Sequence, residues 1–518
     1  MTQFNYSAPE FVLSGSSASP ARDMPSVLFV LKNHRAGPEW EKSLPKHLAD
    51  HAAWKGDLGA RLSLHGHDAP HIFFGLGEFQ ALDAQEASEH AEAFGRYLLQ
   101  QQIETARLFF PAPLLATESL PLLMGILKGL GLANFKITEF RTKNEPGPRL
   151  RKLEIALPAG SALSEAHLAI LRATIQGVTF ARHLIELPAH DGGPSDIAAR
   201  FKASIDPKII HLEIWDEKRI AKEKMGLLLA VGRGSEHPPR FLVARYGKEY
   251  AGKKPTLALV GKGVTFDTGG INLKTGEWRG LVEMKKDMGG AAAVLGTMLV
   301  LQKLKPKVSV IGITPLTYNC IDAKATLPSD VAMSRAGKTV EILNTDAEGR
   351  LILADALDYA VEQKPDYLVD IATLTGACVV ALGNHLTGCF SNHKEFQAQL
   401  MKTSGDAGEP TWPLPVSARY GAELKSEIAD LANMGKARDG GASLAAAFLQ
   451  KFVAETPWVH LDIAGTVDLG APAREGAQTV GAGRMVHTLS AFALKLAQGE
   501  VGFPTSSSPS PSLKKQKK

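Results

Sequence analysis

Apolar residues recur along this chain in two rhythms. Short, largely apolar runs at 26–31, 71–74 and 106–110 are bounded by polar residues, the pattern of buried strands. Between the last two, residues 82–101 carry an amphipathic helical pattern; 120–130 reads as another helix and 153–157 as a closing strand. Strand and helix alternate, so the first third is expected to hold a largely parallel sheet. Residues 164–187 read as one long helix, with Leu168, Ile170, Leu171, Ile175, Val178, Phe180 and Ala181 keeping the period and Pro188 stopping it. Strand patterns return at 209–214, 241–246, 256–260, 308–314, 367–371 and 458–463, separated in several places by helical stretches such as 289–304 and 350–362. They are spaced for crossovers, which predicts a second covered, mostly parallel sheet. The expected architecture is α/β: two α/β domains with mostly parallel central sheets, residues 1–163 and 188–503, joined by the helix 164–187. The C-terminal domain is expected to carry the chemistry, and residues 504–518 to form a disordered Ser/Pro/Lys tail.

Composition narrows the function classes. A length of 518 residues suits two domains. The three cysteines, Cys320, Cys378 and Cys389, are odd in number and show no paired spacing. That argues against a disulfide framework or a thiolate zinc site and for a reducing, cytoplasmic setting. The formal net charge is +4, but residues 504–518 hold four lysines and no acid, so the body is neutral. A neutral body gives no reason to expect nucleic-acid binding. No basic-then-apolar secretory start is present, and the longest largely apolar stretch, 291–301, is too short for a bilayer, which takes about 20 residues. No membrane partner is expected.

The candidate chemistry lies in Asn344-Thr-Asp-Ala-Glu-Gly-Arg350, where Asp346, Glu348 and Arg350 stand two apart ahead of an apolar helix. Thr345 and Glu348 also fit a capping box, the simpler reading of the segment alone. Asp267, in a glycine-rich segment after the strand 256–260, and Asp287, at the start of the helix 289–304, change the balance. Taken singly, each is a turn residue or a cap. Taken together, Asp267, Asp287, Asp346 and Glu348 all fall at the strand-end edge of one α/β unit, where such sheets bind ligands. Four clustered carboxylates repel unless cations sit among them, and two divalent ions would neutralise them. With no histidine in the set, the ligands are oxygen-rich, which suits zinc, manganese, cobalt or magnesium. Lys262 and Lys274 bracket Asp267, and read alone they are ion-pair partners. Gly261-Lys262-Gly263 does not fit a phosphate loop.

The segments 260–270, 285–290 and 344–351, with 370–377 and 461–465, resemble those of the leucyl (cytosol) aminopeptidases, two-metal exopeptidases. The resemblance runs from about the connecting helix to about Phe503. It implies that Asp267 and Glu348 bridge two divalent ions (Zn or Mn, or else Co or Mg). Asp346 would complete the more exchangeable site; Asp287 and a neutral Lys262 amine would complete the tighter one. It also implies that Lys274 faces the scissile carbonyl and that Asp287 meets the substrate's free α-amine. Arg350, with backbone N–H groups near Leu374, would hold a bicarbonate as general base. Met284, Thr373 and Ala464 would wall a pocket for a leucine-like first residue. Peptide substrates and a homohexamer follow from the same resemblance. Two departures stand out: the 274–287 stretch is about two residues longer than usual, and Lys286 stands where a small residue is usual. A magnesium-dependent phosphoryl-transfer hydrolase would use the same carboxylates but needs more basic groups than Lys274 and Arg350. A non-catalytic nucleic-acid binder is the other alternative, and the neutral body opposes it.

Overall fold

The computed structural model describes residues 6, 8–15, 24–32, 56–64, 70–143, 147–158, 160–276, 278–435, 439–468 and 480–501. The expected tail, 504–518, lies outside them. Two large sheets form among the described residues. The first runs in the order Glu10–Gly15, Lys152–Leu157, Thr105–Phe109, Ser26–Val30, His71–Gly75, Arg61–Leu64. Every neighbouring pair is parallel except the last, which is antiparallel. The helices Ala84–Gln100 and Leu120–Leu132 pack against each other, and the sheet and helices share one core. Its centre is aromatic: Phe29 stacks on Phe110 at 4.5 Å and Phe74 on Phe94 at 4.3 Å.

The predicted long helix is Glu165–Glu186, begun by a capping box between Ser164 and His167. Its apolar stripe is buried, and it packs on Gly289–Leu304, a helix covering the second sheet. On the same helix Arg182 is buried and makes a two-pronged contact with Glu92 of Ala84–Gln100, at 2.8 and 2.9 Å.

The second sheet runs Thr411–Pro413, Thr387–Ser391, Trp458–Asp462, Tyr367–Ala372, Thr256–Gly261, Ser309–Asn319, Arg240–Tyr246, Ile210–Trp215. The four strands from Trp458–Asp462 to Ser309–Asn319 are mutually parallel, and antiparallel strands flank them. These four are buried along their whole length, which explains their largely apolar runs. The strand predicted to end at 314 continues through Pro315 to Asn319. Pro315 falls between the pairings Ile313↔Val260 and Leu316↔Gly263, where one parallel partner gives way to the next strand, Gly263–Asp267. A proline is tolerated at such an interruption. A small sheet of Val331–Met333, Thr339–Glu341 and Leu431–Ala432 lies apart. Among the described residues, no helix is long and apolar enough to cross a membrane.

Candidate metal centre

The carboxyl ends of the parallel strands deliver one group after another to the same edge. Lys262 follows Thr256–Gly261, Asp267 ends Gly263–Asp267, and Asn319 ends its own strand. Thr373 and Leu374 follow Tyr367–Ala372, and Asp462 ends Trp458–Asp462. The starts of two helices supply the rest: Asp287 precedes Gly289–Leu304, while Asp346, Glu348 and Arg350 surround the start of Gly349–Glu362. This is the edge at which open α/β sheets bind ligands.

Asp267, Asp346 and Glu348 each offer a carboxylate oxygen within 4.8 Å of the others, the spacing of a shared metal site. The two lysines thread the cluster. Lys262 Nζ lies 2.8 Å from Asp287 Oδ1 and 2.9 Å from Glu348 Oε1, and donates to the Thr373 carbonyl at 2.8 Å. Lys274 Nζ lies 2.8 Å from Asp267 Oδ2 and 2.5 Å from Asp346 Oδ1. Asp287 is thereby joined to the trio through Lys262, so the four carboxylates and two lysines named from the sequence meet.

The capping alternatives do not form. Glu348 occupies the N-cap position of Gly349–Glu362 in helical geometry, with no side-chain cap bond. Thr345 Oγ1 instead donates to the Gly269 carbonyl at 2.7 Å and accepts from Asn272 N at 2.9 Å. Asp287 likewise leaves the helix behind it uncapped and takes Thr373 Oγ1 as a donor at 2.7 Å.

The electrostatics of the cluster suit a bound cation. Burial raises Asp267 to about 6, with Glu348 adding to it against the two lysines. Burial also drives Asp287 well above the carboxylate range, against Lys262. Burial works to raise Glu348, but Lys262 and Lys274 together hold it below its ordinary value. Burial works to lower Lys262, but Asp287, Glu348 and Asp267 overcome it and hold the ammonium charged. The neutral amine expected of Lys262 therefore requires cations at its side. Four carboxylates face two ammonium groups, and the buried Asp287 Oδ2 has no hydrogen-bond partner among the described residues. An unmatched buried carboxylate oxygen in an acid-rich cluster fits an oxygen-liganded divalent ion.

Arg350 stands beside the cluster. Its Nη1 donates to the Asn433 carbonyl at 2.8 Å, burial lowers it to about 10, and its buried Nε has no partner among the described residues. The Leu374 N–H, expected to help hold an anion, donates instead to Asp462 Oδ1 at 3.1 Å. Asp462 Oδ2 accepts from Thr375 Oγ1 at 2.7 Å, so this carboxylate already serves the Leu374 turn. Met284 and Ala464 are partly exposed on turns flanking Asp287 and Asp462, and Thr373 is nearly buried between them in sequence order along the sheet edge.

Sequence reasoning missed the supports. Asn319 Nδ2 donates to Asp267 Oδ1 at 2.8 Å and to the Thr345 carbonyl at 3.0 Å, linking two ligand segments. Asn433 Oδ1 accepts from Leu343 N at 2.9 Å, and its Nδ2 donates to the Asn344 carbonyl at 2.7 Å. A fully buried asparagine in an otherwise irregular stretch is a signal only once the fold is known.

Comparison with known proteins is consistent with this geometry. The catalytic-domain profile of the cytosol aminopeptidase family matches residues 179–490. A probable cytosol aminopeptidase of Syntrophotalea carbinolica is 40% identical over 402 residues, 76% of this chain and 80% of that protein. One from Burkholderia pseudomallei is 38% identical over 454 residues, 85% of this chain and 88% of its own length. One from Acidovorax ebreus is 44% identical over 357 residues, 69% and 70% of the two chains.

Proposed function

The chain belongs to the cytosol aminopeptidase family, whose members are metal-dependent aminopeptidases, and on that premise we propose that it removes leucine-like N-terminal residues from peptides at a two-metal centre. The observation that carries the reading is the meeting of Asp267, Asp346 and Glu348 within 4.8 Å, with Asp287 joined to them through Lys262. Asp267, Asp346, Glu348 and Asp287, with Lys262, would hold the two ions. Two divalent ions held there, zinc or manganese or else cobalt or magnesium, would supply Lewis acidity and a water acidified to ionise near neutral pH.

The protein's own groups do the positioning. Asp287, oriented by Thr373, accepts from the substrate's free α-amine, which an internal residue lacks; this restricts cleavage to the N-terminus. Lys274 is raised by Asp267 and Asp346 against its burial, so it stays charged and can stabilise negative charge developing on the scissile carbonyl oxygen. Arg350, with an unpartnered buried Nε, would hold a bicarbonate ion whose chemistry is that of a proton acceptor. Met284, Thr373 and Ala464 wall the side-chain pocket. Assembly as a homohexamer in the cytoplasm belongs to the same proposal, and the exposed Val331 and Met333 of the small sheet support a buried contact there.

The test is release of leucine from leucyl amide before and after chelation, with zinc, manganese or cobalt restored separately. Activity that survives chelation, or that survives Asp346→Ala and Glu348→Ala, refutes the assignment. Hydrolysis of a phosphate ester in place of the amide would favour phosphoryl transfer.

A further inference from the structure

Lys286 is 2% exposed, yet it lies one residue from Asp287 on the turn that also carries Met284. Its Nζ meets three carboxylates, those of Asp468, Glu283 and Glu186, the last at 3.8 Å. Lys285 beside it takes Glu186 Oε2 at 2.8 Å, and Glu186 Oε1 accepts from Gly481 N at 2.6 Å. Glu186 is the last residue of the long helix, and Asp468 and Gly481 pair as an isolated bridge. One buried ammonium therefore ties together the Met284 turn, the end of the long helix and the segment that follows Ala464.

The cluster adjoins two of the three proposed pocket walls along the chain. Met284 is two residues from Lys286, and Ala464 is four residues from Asp468. The backbone between them is packed without slack. A Cβ on Gly289 would lie 2.8 Å from Val467 Cγ2, 3.4 Å from Ile463 Cδ1 and 3.5 Å from Thr373 Cγ2. The 463–468 turn is fixed at its near end by Ile463 N donating to the Ala372 carbonyl at 2.8 Å. At its far end, Ala482 N donates to the Val467 carbonyl at 2.6 Å, and Lys286 holds Asp468. The side chain of Lys286 faces this cluster, while Asp287 faces Lys262 and Thr373. Lys286 is thus placed to set the spacing of the walls without joining the metal centre.

We propose that Lys286, through Asp468, Glu283 and Glu186, is a positioning residue that fixes the Met284 and Ala464 walls at the separation that selects the substrate's first side chain. The proposal rests on the aminopeptidase reading and deepens it. A buried hub with several carboxylate partners holds backbone segments more tightly than a surface pair. Its loss lets the two walls drift, and a pocket wider by even a methyl group loses discrimination between aliphatic side chains.

The experiment compares wild type, Lys286→Met, Lys286→Arg and Asp468→Asn on leucyl and alanyl amides. Metal content after dialysis is measured alongside, as is calorimetric affinity for free leucine and alanine. Lys286→Met and Asp468→Asn are each expected to lower the leucyl-to-alanyl ratio of kcat/KM by about fivefold or more. The loss should appear mainly as a higher KM for leucyl amide, with the kcat for alanyl amide and the metal content retained. Leucine affinity should fall in parallel, and Lys286→Arg should restore most of the ratio. Asp468→Asn changes a side chain that is 30% exposed, so it tests the proposal even if Lys286→Met does not fold. An unchanged ratio in Asp468→Asn or in folded Lys286→Met overturns the proposal. So does an equal loss on both substrates accompanied by loss of metal, which would make Lys286 a support of Asp287. A wild type that binds metal but hydrolyses neither amide refutes the underlying reading instead, and the proposal with it.

Discussion

Gly349→Ala separates the geometry of the metal centre from ordinary helix energetics. Gly349 is the first residue of Gly349–Glu362, and its φ is not positive, so alanine fits the backbone. Propensity alone then favours alanine by up to about 1 kcal/mol. The site opposes it. A Cβ at this position would lie 2.6 Å from Lys262 Cε and 2.7 Å from Lys262 Nζ. Lys262 cannot swing aside freely, because its ammonium is held by Asp287, Glu348 and the Thr373 carbonyl and is 2% exposed. Opening the contact to an ordinary distance moves Nζ by about 0.7 Å, and overpacking of this kind costs about 1–3 kcal/mol. The clash outweighs the propensity gain, so a net loss of about 1–2 kcal/mol is expected. A displacement approaching 1 Å in the catalytic constellation lowers the rate by about 100-fold. The control is Gly405→Ala, in the helix Lys394–Asp406, where an added Cβ meets nothing within 4 Å. Thermal unfolding midpoints and leucyl-amide hydrolysis at saturating metal are the readouts. If Gly349→Ala raises the midpoint as Gly405→Ala should, and keeps its activity, the tight seat assigned to Lys262 is wrong.

Three other outcomes are expected. Arg350→Met should lower kcat by about 100-fold and abolish any stimulation by added bicarbonate, read from activity in carbonate-free and supplemented buffer. Glu92→Gln breaks the buried pair with Arg182 and should cost about 3–5 kcal/mol in a denaturant titration. Arg182 holds Glu92 low despite its burial, so the stabilisation it gives wild type is complete above the unfolded glutamate value. It is lost as pH falls through the depressed folded value, and Glu92→Gln should flatten that acid limb. Lys128 acts in the opposite range: burial, against the attraction of Glu409, lowers it from 10.5 to about 8. The unfolded chain then binds more protons than the folded one between those values, so wild-type stability rises with pH across that window. Lys128 Nζ donates to the Ala407 carbonyl at 2.9 Å; Lys128→Met should remove that rise without a large loss at pH 7, because this carbonyl keeps the His487 ring as a partner at 2.9 Å. A wild-type midpoint flat from about pH 8 to 10 would refute this.

The second sheet was legible because its parallel strands are buried on both faces and read as largely apolar runs. The long helix was legible for the matching reason: its stripe keeps one period for 22 residues and then meets Pro188. Less was visible where pattern and environment part company. Ser309–Asn319 ran past its predicted end because Pro315 sits at a change of partner, a fact about neighbouring strands that no local window holds. Asn319 was overlooked for the same reason, since it becomes a support of Asp267 only through that extension. The capping box at Thr345 and Glu348 is the most instructive case. Local chemistry favoured a cap, worth about 1 kcal/mol, and the fold declines it. Thr345 is turned to the Gly269 carbonyl and Glu348 to Lys262, so Gly349–Glu362 begins uncapped. Asp287 makes the same departure ahead of Gly289–Leu304. Two helices that pack into different cores thus forgo their caps, and both acids that could have supplied them face one lysine. A sequence that sets aside the same local preference twice, toward a single point in space, has placed a function there.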